Sequence, residues 1–389
     1  MKNNMKVTAA LLLAAFATGC NDAEYDVLGT HAYISESTSA SSAKVVIDAV
    51  NGATATVTVS LTQKAEKDCQ FRLVPDEAVM DAFNQQESSS YMTLPAEVYT
   101  MSETVTVKAG SYLSEPVNIH IDPLPKELIG EVYAIPLRLE SADGAVPTTS
   151  NTSKFVITTE SIVMSSLPQF NGGAGLAADG FPVSLPNFTV ECRFQVSNTA
   201  NRNRAVFTNG GSVLLRFEDP QNNTAEHKAH SLVQFQGEGW YLNPSISFTP
   251  NVWQHLALTY DGKAVTLYVN GQFAGSKEGI AAPEFSVAGW FGGGGSNGGH
   301  GTGDSWWYGC KILCAELRIW SVCRTAAQVQ NNMTTTSAKS ADLVAYWRMN
   351  EGSGNVFEDC TGNGHTLRTT KNPTWVEGIL STDTATPWM

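Results

Sequence analysis

WQHLALTYDGKAVTLYVNGQFAG, residues Trp253–Gly275, is the stretch whose reading decides the fold. Apolar and polar residues alternate through LALTY, AVTLYV and QFAG, the period of half-buried strands. Asp261-Gly262 and Asn270-Gly271 separate these runs. Such dipeptides adopt positive φ at low cost and close two-residue hairpins. The stretch therefore predicts an antiparallel meander. Working outward, FTVECRFQV, AVFTNG, VLLRFED, SLVQFQG, WYLNP, CAELRIW and LVAYWRMN read as further short strands. The one helical signal lies at Thr325 and Gln328, a capping box before AQVQNNM. Many short strands with one helix predict a two-sheet jelly roll over residues 167–389.

Upstream, KVVIDAV, ATVTVSL, CQFRLV, ETVTVKAG, PVNIHID, YAIPLRLES and KFVITTE form a second set of strand-like runs. One helical insert, Pro75 to Gln85, places Val79 and Phe83 on one face. These runs predict an Ig-like β-sandwich over residues 31–160, with 161–166 as the join, so the expected fold class is all-β. At 389 residues two domains are the natural division.

The N-terminus reads MKNNMKVTAALLLAAFATGC. Lys2 and Lys6 precede an apolar run too short to span a bilayer. The small residues before Cys20 resemble a lipobox, which predicts a signal peptide over 1–19, a lipidated Cys20 and an acidic tether over 20–30. The expected location is the outer membrane, lipid-anchored and facing the cell surface. Losing residues 1–19 leaves 22 basic side chains against 37 acidic ones, a formal charge of −15. That surface repels phosphates and argues against a nucleic-acid partner. Beyond Cys20 there are six cysteines, several in apolar strand contexts where free thiols act as small hydrophobes.

Two resemblances follow. FRLVPDEAVMDAFN, YMTLPAEVYTM, VTVKAGSYLSEPVNIHI and YAIPLRLESADG resemble a module found at the front of Bacteroidetes-type surface lipoproteins, ahead of carbohydrate-binding domains or glycosidases. WQHLALTYDGKAVTLYVNGQFAG, AELRIWSVCRTAAQVQ and LVAYWRMNEGSGNVFEDCTGNG are similar to the concanavalin A-like lectin/glucanase superfamily in its laminin-G-like branch. Together the resemblances imply a lipoprotein of a polysaccharide-utilisation system. Its jelly roll would capture an oligosaccharide or polysaccharide, alongside an outer-membrane transporter and glycosidases, with the front domain as a spacer. A protein-binding adhesive role and a glycosidase on the same fold stand as alternatives. Against catalysis, the paired carboxylates of jelly-roll glucanases, Glu-x-Asp-x-x-Glu on one strand, have no counterpart here.

The candidate site centres on FGGGGSNGGHGTGDSWWYG, Phe291–Gly309, which is nearly half glycine. A GxGxxG match within it lacks the flanking strand and helix that a dinucleotide needs. Two readings are compatible: a loop that folds tryptophan back onto the core, and a binding loop. Sugars offer apolar C–H faces ringed by hydroxyls, so exposed aromatics with nearby polar groups suit them. The candidate stacking residues are Trp306, Trp307, Trp240, Tyr241 and Trp290, with Asp304, Asn297 and His300 as hydroxyl partners. The family pattern implies that Tyr308, Trp253, Trp320 and Trp347 pack in the core, and His255 reads as a packed histidine. No cofactor is expected. Asp179, Asp359 and Asn363 are the acids and amide that a calcium ion would use, without an oxygen-rich loop to hold it.

Overall fold

The computed structural model describes residues 29–381 apart from 88, 126–127, 162–163, 182, 211–212, 219–230, 238–239, 282–284, 286 and 294–304. The chain is all-β in two parts, as the alternating runs predict. In the first, a six-stranded sheet runs Ser42–Ile47, Lys154–Ser161, Tyr133–Ser141, Cys69–Pro75, Thr104–Val107, with Met92–Thr93 added against Tyr133–Ser141. It faces a three-stranded sheet of Ala53–Val57, Val117–Ile121 and Tyr99–Thr100 and a pair of Ala32–Ile34 with Val59–Leu61. Phe71, Leu73, Ile119, Ile135 and Ile157 share the core between them. The helix Glu77–Glu87 buries Val79, Met80 and Phe83 against the back of the larger sheet, where Ala134 and Val156 meet it.

In the second part, one sheet runs Gln272–Glu278, Ala264–Val269, Gln254–Tyr260, Phe188–Val196, Lys311–Trp320, Met164–Asn171, Thr374–Leu380, with Leu343–Trp347 paired to Lys311–Trp320. The other runs Trp240–Leu242, Leu232–Gly237, Leu214–Glu218, Arg204–Thr208, Gly289–Trp290, Leu176–Ala178, Leu367–Arg368, Val356–Phe357. The two enclose one large apolar core that includes Phe188, Phe194, Phe207, Phe217, Trp290 and Trp347. Both hairpins form as read, through different chemistry. Asn270 and Gly271 have φ of 51° and 72°, the paired positive values of the mirror-image turn. At the other turn only Gly262 is positive, and the Asp261 carboxylate accepts from Lys263 N and Ala264 N at 2.9 and 2.7 Å. The helix Ala326–Asn331 starts with the predicted capping box between Thr325 and Gln328.

The strand Met164–Asn171 belongs to the second part's sheet, so that sheet begins inside the stretch read as a join. The two parts also touch directly. Gln328 Nε2 donates to Glu87 O at 2.6 Å, Lys44 Nζ to Asn331 O at 3.1 Å, and Ser337 Oγ to Glu131 Oε2 at 2.9 Å. The front domain therefore sits against the jelly roll.

Candidate functional site

In LLRFE (214–218) and LVQFQ (232–236) the strand period sends Leu215, Phe217, Val233 and Phe235 into the core. Successive side chains point to opposite faces, so Arg216, Gln234 and Gln236 fall on the outer one. The register aligns Ala205 with Arg216 and Arg216 with Gln234 in one row, and Leu214 with Gln236 and Gln236 with Tyr241 in the next. Directly opposed residues stand about 4.5–5.5 Å apart, close enough to act as one surface.

Polar contacts knit the rows together. Arg216 Nη1 donates to Asn203 Oδ1 at 2.9 Å and Nη2 to Gln234 Oε1 at 3.3 Å, and Gln234 Nε2 donates to Asn243 Oδ1 at 2.5 Å. Glu218, 3.2 Å from Arg216 Nη2, balances its charge. The Arg216 guanidinium lies 5.9 Å from the Tyr241 ring centre, within cation–π range. Gln236 Oε1 and Arg216 Nε have no hydrogen-bond partner among the described residues. Tyr241 is 50 % exposed, so an aromatic face stands open beside the half-buried Arg216 and Gln236, with Gln234, buried and bonded at both ends of its amide, between them.

The double tryptophan divides. Ser305–Trp307 is a 3-10 turn, where consecutive side chains diverge by about 120°. Two neighbours in such a turn cannot share a face. Trp307 is fully buried and donates Nε1 to Ala205 O at 3.1 Å, whereas Trp306 is 48 % exposed. Arg204 fixes the turn: its Nε donates to Trp306 O at 3.0 Å and its Nη1 and Nη2 hold Asn198. The anchor of Trp306 on Arg204–Thr208 and Tyr241 on Trp240–Leu242 lie three strands apart, roughly 14 Å at the usual strand spacing.

Several expectations need correcting. Trp307 is core and cannot stack on a ligand. Trp290 is also fully buried, packed at 4.6 Å against Phe207. The register sets Trp290 opposite Phe207 and Leu176, both of which face the core, so the indole turns inward. Tyr308, expected to pack, is 84 % exposed, because it follows the turn that commits Trp307 to the core. Asn297, His300 and Asp304 lie outside the described residues, as does the side chain of Trp240. Trp253, Trp320 and Trp347 are buried as read. At the start of the glycine stretch, a Cβ on Gly293 would lie 1.8 Å from Leu176 O, so glycine is there to let two backbones cross.

Arg216, Gln234, Gln236, Asn203 and Asn243 were not singled out from the sequence. The signal was available: once Phe217 and Phe235 are placed inward, their neighbours must face out.

A second polar constellation is sealed beneath the other sheet's outer face. Glu191 is fully buried, with Arg324 Nη1 at 2.6 Å, Arg318 Nη1 at 3.0 Å and His255 Nε2 at 3.4 Å. Burial alone would push the Glu191 carboxyl up. Arg324, His255 and Arg318 outweigh it and hold the group far below the carboxylate range. For His255 burial dominates and lowers its pKa, against the pull of Glu191, so the ring is neutral. No part of this cluster meets solvent, so it is scaffold, and His255 is the packed histidine expected. The described cysteines Cys69, Cys192, Cys310, Cys314, Cys323 and Cys360 are free thiols. Asp359 is occupied in its own loop, accepting from Thr361 N, Thr361 Oγ1 and His365 N at 3.1, 2.7 and 3.0 Å. Asn363 donates to Val344 O and Asp179 pairs with Arg368. No group of three metal-ligating side chains gathers among the described residues.

Comparison with known proteins gives the same two-part order. Residues 28–146 match a family described as an N-terminal domain, and residues 170–330 match the concanavalin A-like lectin/glucanases superfamily. No curated protein matches the chain. Among solved structures, a Bacteroides ovatus protein proposed to bind carbohydrate is 20% identical, with 88% of this chain and 99% of that one covered and a TM-score of 0.47. A heptameric SAP-like pentraxin from Limulus polyphemus is 15% identical, covering 55% and 89%, with a TM-score of 0.34. Domain 4 of an extracellular arabinanase from Geobacillus stearothermophilus, in complex with arabinotriose, is 16% identical, covering 38% and 67%, with a TM-score of 0.28.

Proposed function

We propose that a chain carrying a concanavalin A-like domain behind a docked front sandwich is a surface glycan-binding lipoprotein without catalytic activity. The single observation that supports this most is the outer face built from Tyr241, Arg216, Gln234 and Gln236, with Trp306 three strands away. Aromatic rings take the C–H faces of a sugar, and the half-buried Arg216 and Gln236 beside Tyr241 take its hydroxyls. Lipidation at Cys20 would hold the protein on the outer membrane, beside a glycan transporter and glycosidases of the same system. The contacts between Gln328 and Glu87 and between Lys44 and Asn331 make the front domain a fixed mount for the jelly roll.

A glycan array followed by titration calorimetry tests the reading. A ring covering about 60 Å² of apolar sugar surface contributes roughly 1.5 kcal/mol, which is about tenfold in affinity. Tyr241→Ala with Trp306→Ala is thus expected to weaken binding by one to two orders of magnitude, with the melting temperature unchanged because both rings are solvent-facing. Unaltered affinity in the double variant would move the site elsewhere. A blank array with capture of a protein partner insensitive to sugar would favour the adhesive role, and release of reducing sugar would restore the enzyme. The anchor is tested separately: Cys20→Ser is expected to abolish palmitate labelling and release the protein from membranes, and retained labelling would refute it.

A further inference from the structure

We infer that the end of the front sandwich carrying Tyr112 and Leu113 rests on the lipid bilayer, so that the anchored protein holds its jelly roll outermost. The inference deepens the anchor reading and rests on Cys20 as the point of attachment. Tyr112 and Leu113 are 48 and 54 % exposed, two large apolar neighbours on the turn that opens at Lys108.

Hydrogen bonds place the chain's entry at this same end. His31 N donates to Thr62 Oγ1 and Thr62 N to His31 O, each at 2.9 Å. Leu61 N donates to Tyr112 O at 2.8 Å and Ala65 N to Ser111 O at 2.9 Å. The stretches 29–31, 61–65 and 110–112 therefore lie side by side. Cys20 is nine residues before Gly29, a length of chain that spans at most about 30 Å. A lipid on Cys20 thus keeps this end close to the bilayer. The jelly roll joins the opposite end. The strand Tyr133–Ser141 starts two residues after Glu131, which accepts from Ser337 of the jelly roll, and ends with Ser141 paired to Phe71. Cys69, two residues before Phe71, pairs with Val107, and the turn to Tyr112 follows.

The chemistry of the turn suits a lipid surface. Ala109 N donates to Asp68 Oδ1, Gly110 N to Ala65 O, Ser111 N to Lys108 O, Leu113 N to Ser111 Oγ and Ser114 N to Val59 O, all between 2.7 and 3.1 Å. Backbone N–H groups already paired can approach lipid without the cost of unsatisfied donors. Tyrosine favours the headgroup level, where the ring is apolar and its hydroxyl is wet. Lys64 Nζ lies 5.8 Å from the Tyr112 ring centre. A lysine stem lies along apolar surface while its ammonium stays among the headgroups. Charge is even here: loops 62–68 and 108–115 carry Lys64, Lys67 and Lys108 against Glu66, Asp68 and Glu115. A net acidic protein therefore meets the bilayer with a locally neutral face. Two side chains hold a bilayer weakly from bulk solution. A short tether raises their effective concentration to about the millimolar range, where a weak contact is enough to set orientation.

The test supplies the anchor by other means, so that its failure and a failure of Cys20 lipidation read separately. Residues 21–389 with an N-terminal hexahistidine are attached to phosphatidylcholine vesicles containing a nickel-chelating lipid. Hydroxyl-radical footprinting is expected to show Tyr112 and Leu113 oxidised about threefold more slowly on vesicles than in solution, as lipid excludes water from them. Tyr241, Trp306 and Tyr308 on the jelly roll should react equally in both. Tyr112→Ser with Leu113→Ser is expected to weaken the apparent affinity for these vesicles about tenfold, the scale of two half-exposed apolar side chains losing their contact. Its melting temperature should match the wild type. Phosphatidylglycerol and added salt should alter neither result, because the face is neutral. Tyr112 and Leu113 as reactive on vesicles as in solution, or protection of Tyr241 and Trp306 in their place, would overturn the orientation. Protection that needs phosphatidylglycerol and fades in salt would overturn the apolar contact. Undiminished affinity in the serine variant would overturn the patch itself.

Discussion

Glu191→Gln is expected to destabilise the second domain by about 3–5 kcal/mol, the usual result of removing one partner from a buried ionic cluster. Arg324, at 3 % exposure, would be left facing a neutral amide with nowhere to solvate, while Arg318, fully buried, would keep only Glu316 as a charged partner. For a domain of this size the loss corresponds to a melting temperature lower by roughly 6–20 °C. Whole-domain stabilities run to only about 5–15 kcal/mol, so poor yield of folded protein is part of the expectation. The pH dependence carries a second signature. Glu191 is depressed below its ordinary 4.5, so its stabilisation is present above that value and is lost as pH falls towards the folded pKa. His255 is depressed below its ordinary 6.5, so the unfolded chain takes up its proton first and stability falls from there downward as well. Chemical denaturation at a series of pH values should show the wild type weakening below about 6.5 and again below about 4.5. The glutamine variant should have a shallower lower limb, the remainder coming from other depressed carboxylates such as Asp261. A variant as stable as the wild type with the same acid limb would show that the cluster contributes little.

Trp307→Ala is expected to cost about 3–5 kcal/mol by cavity formation, again a fall of roughly 6–20 °C. The indole is fully buried, lies edge-on to Phe217 and Phe291 with centroids 5.9 Å away in each case, and caps Ala205 O. The folded fraction of the variant should keep its glycan affinity, whereas Trp306→Ala should do the reverse and leave the melting temperature alone. Differential scanning calorimetry beside a binding titration reads both. Equal effects of the two substitutions on stability would show that the turn does not separate them.

How much of this was legible depends on how local the determinant is. The Asn270-Gly271 turn and the Thr325–Gln328 capping box are decided by residues within four positions, and both form where they were read. The inward set Leu215, Phe217, Val233 and Phe235 follows from the strand period. The polar face opposite, with Arg216, Gln234 and Gln236, follows from the same rule. Glu191 in FTVECRFQV and Arg318 in CAELRIW were visible as charges within apolar strands. Their pairing across 127 positions was not.

The sequence by itself determined the all-β class, the order of the two domains, the hairpins and the core face of alternating strands such as Leu214–Glu218 and Leu232–Gly237, because alternation and turn dihedrals are properties of neighbouring residues. Only the tertiary structure decided which of Trp306 and Trp307 meets solvent, that Trp290 turns inward, and that the front domain docks on the jelly roll. Those outcomes rest on register between distant strands and on a short turn without a strand's period. In such places a side chain's direction is set by what packs against it.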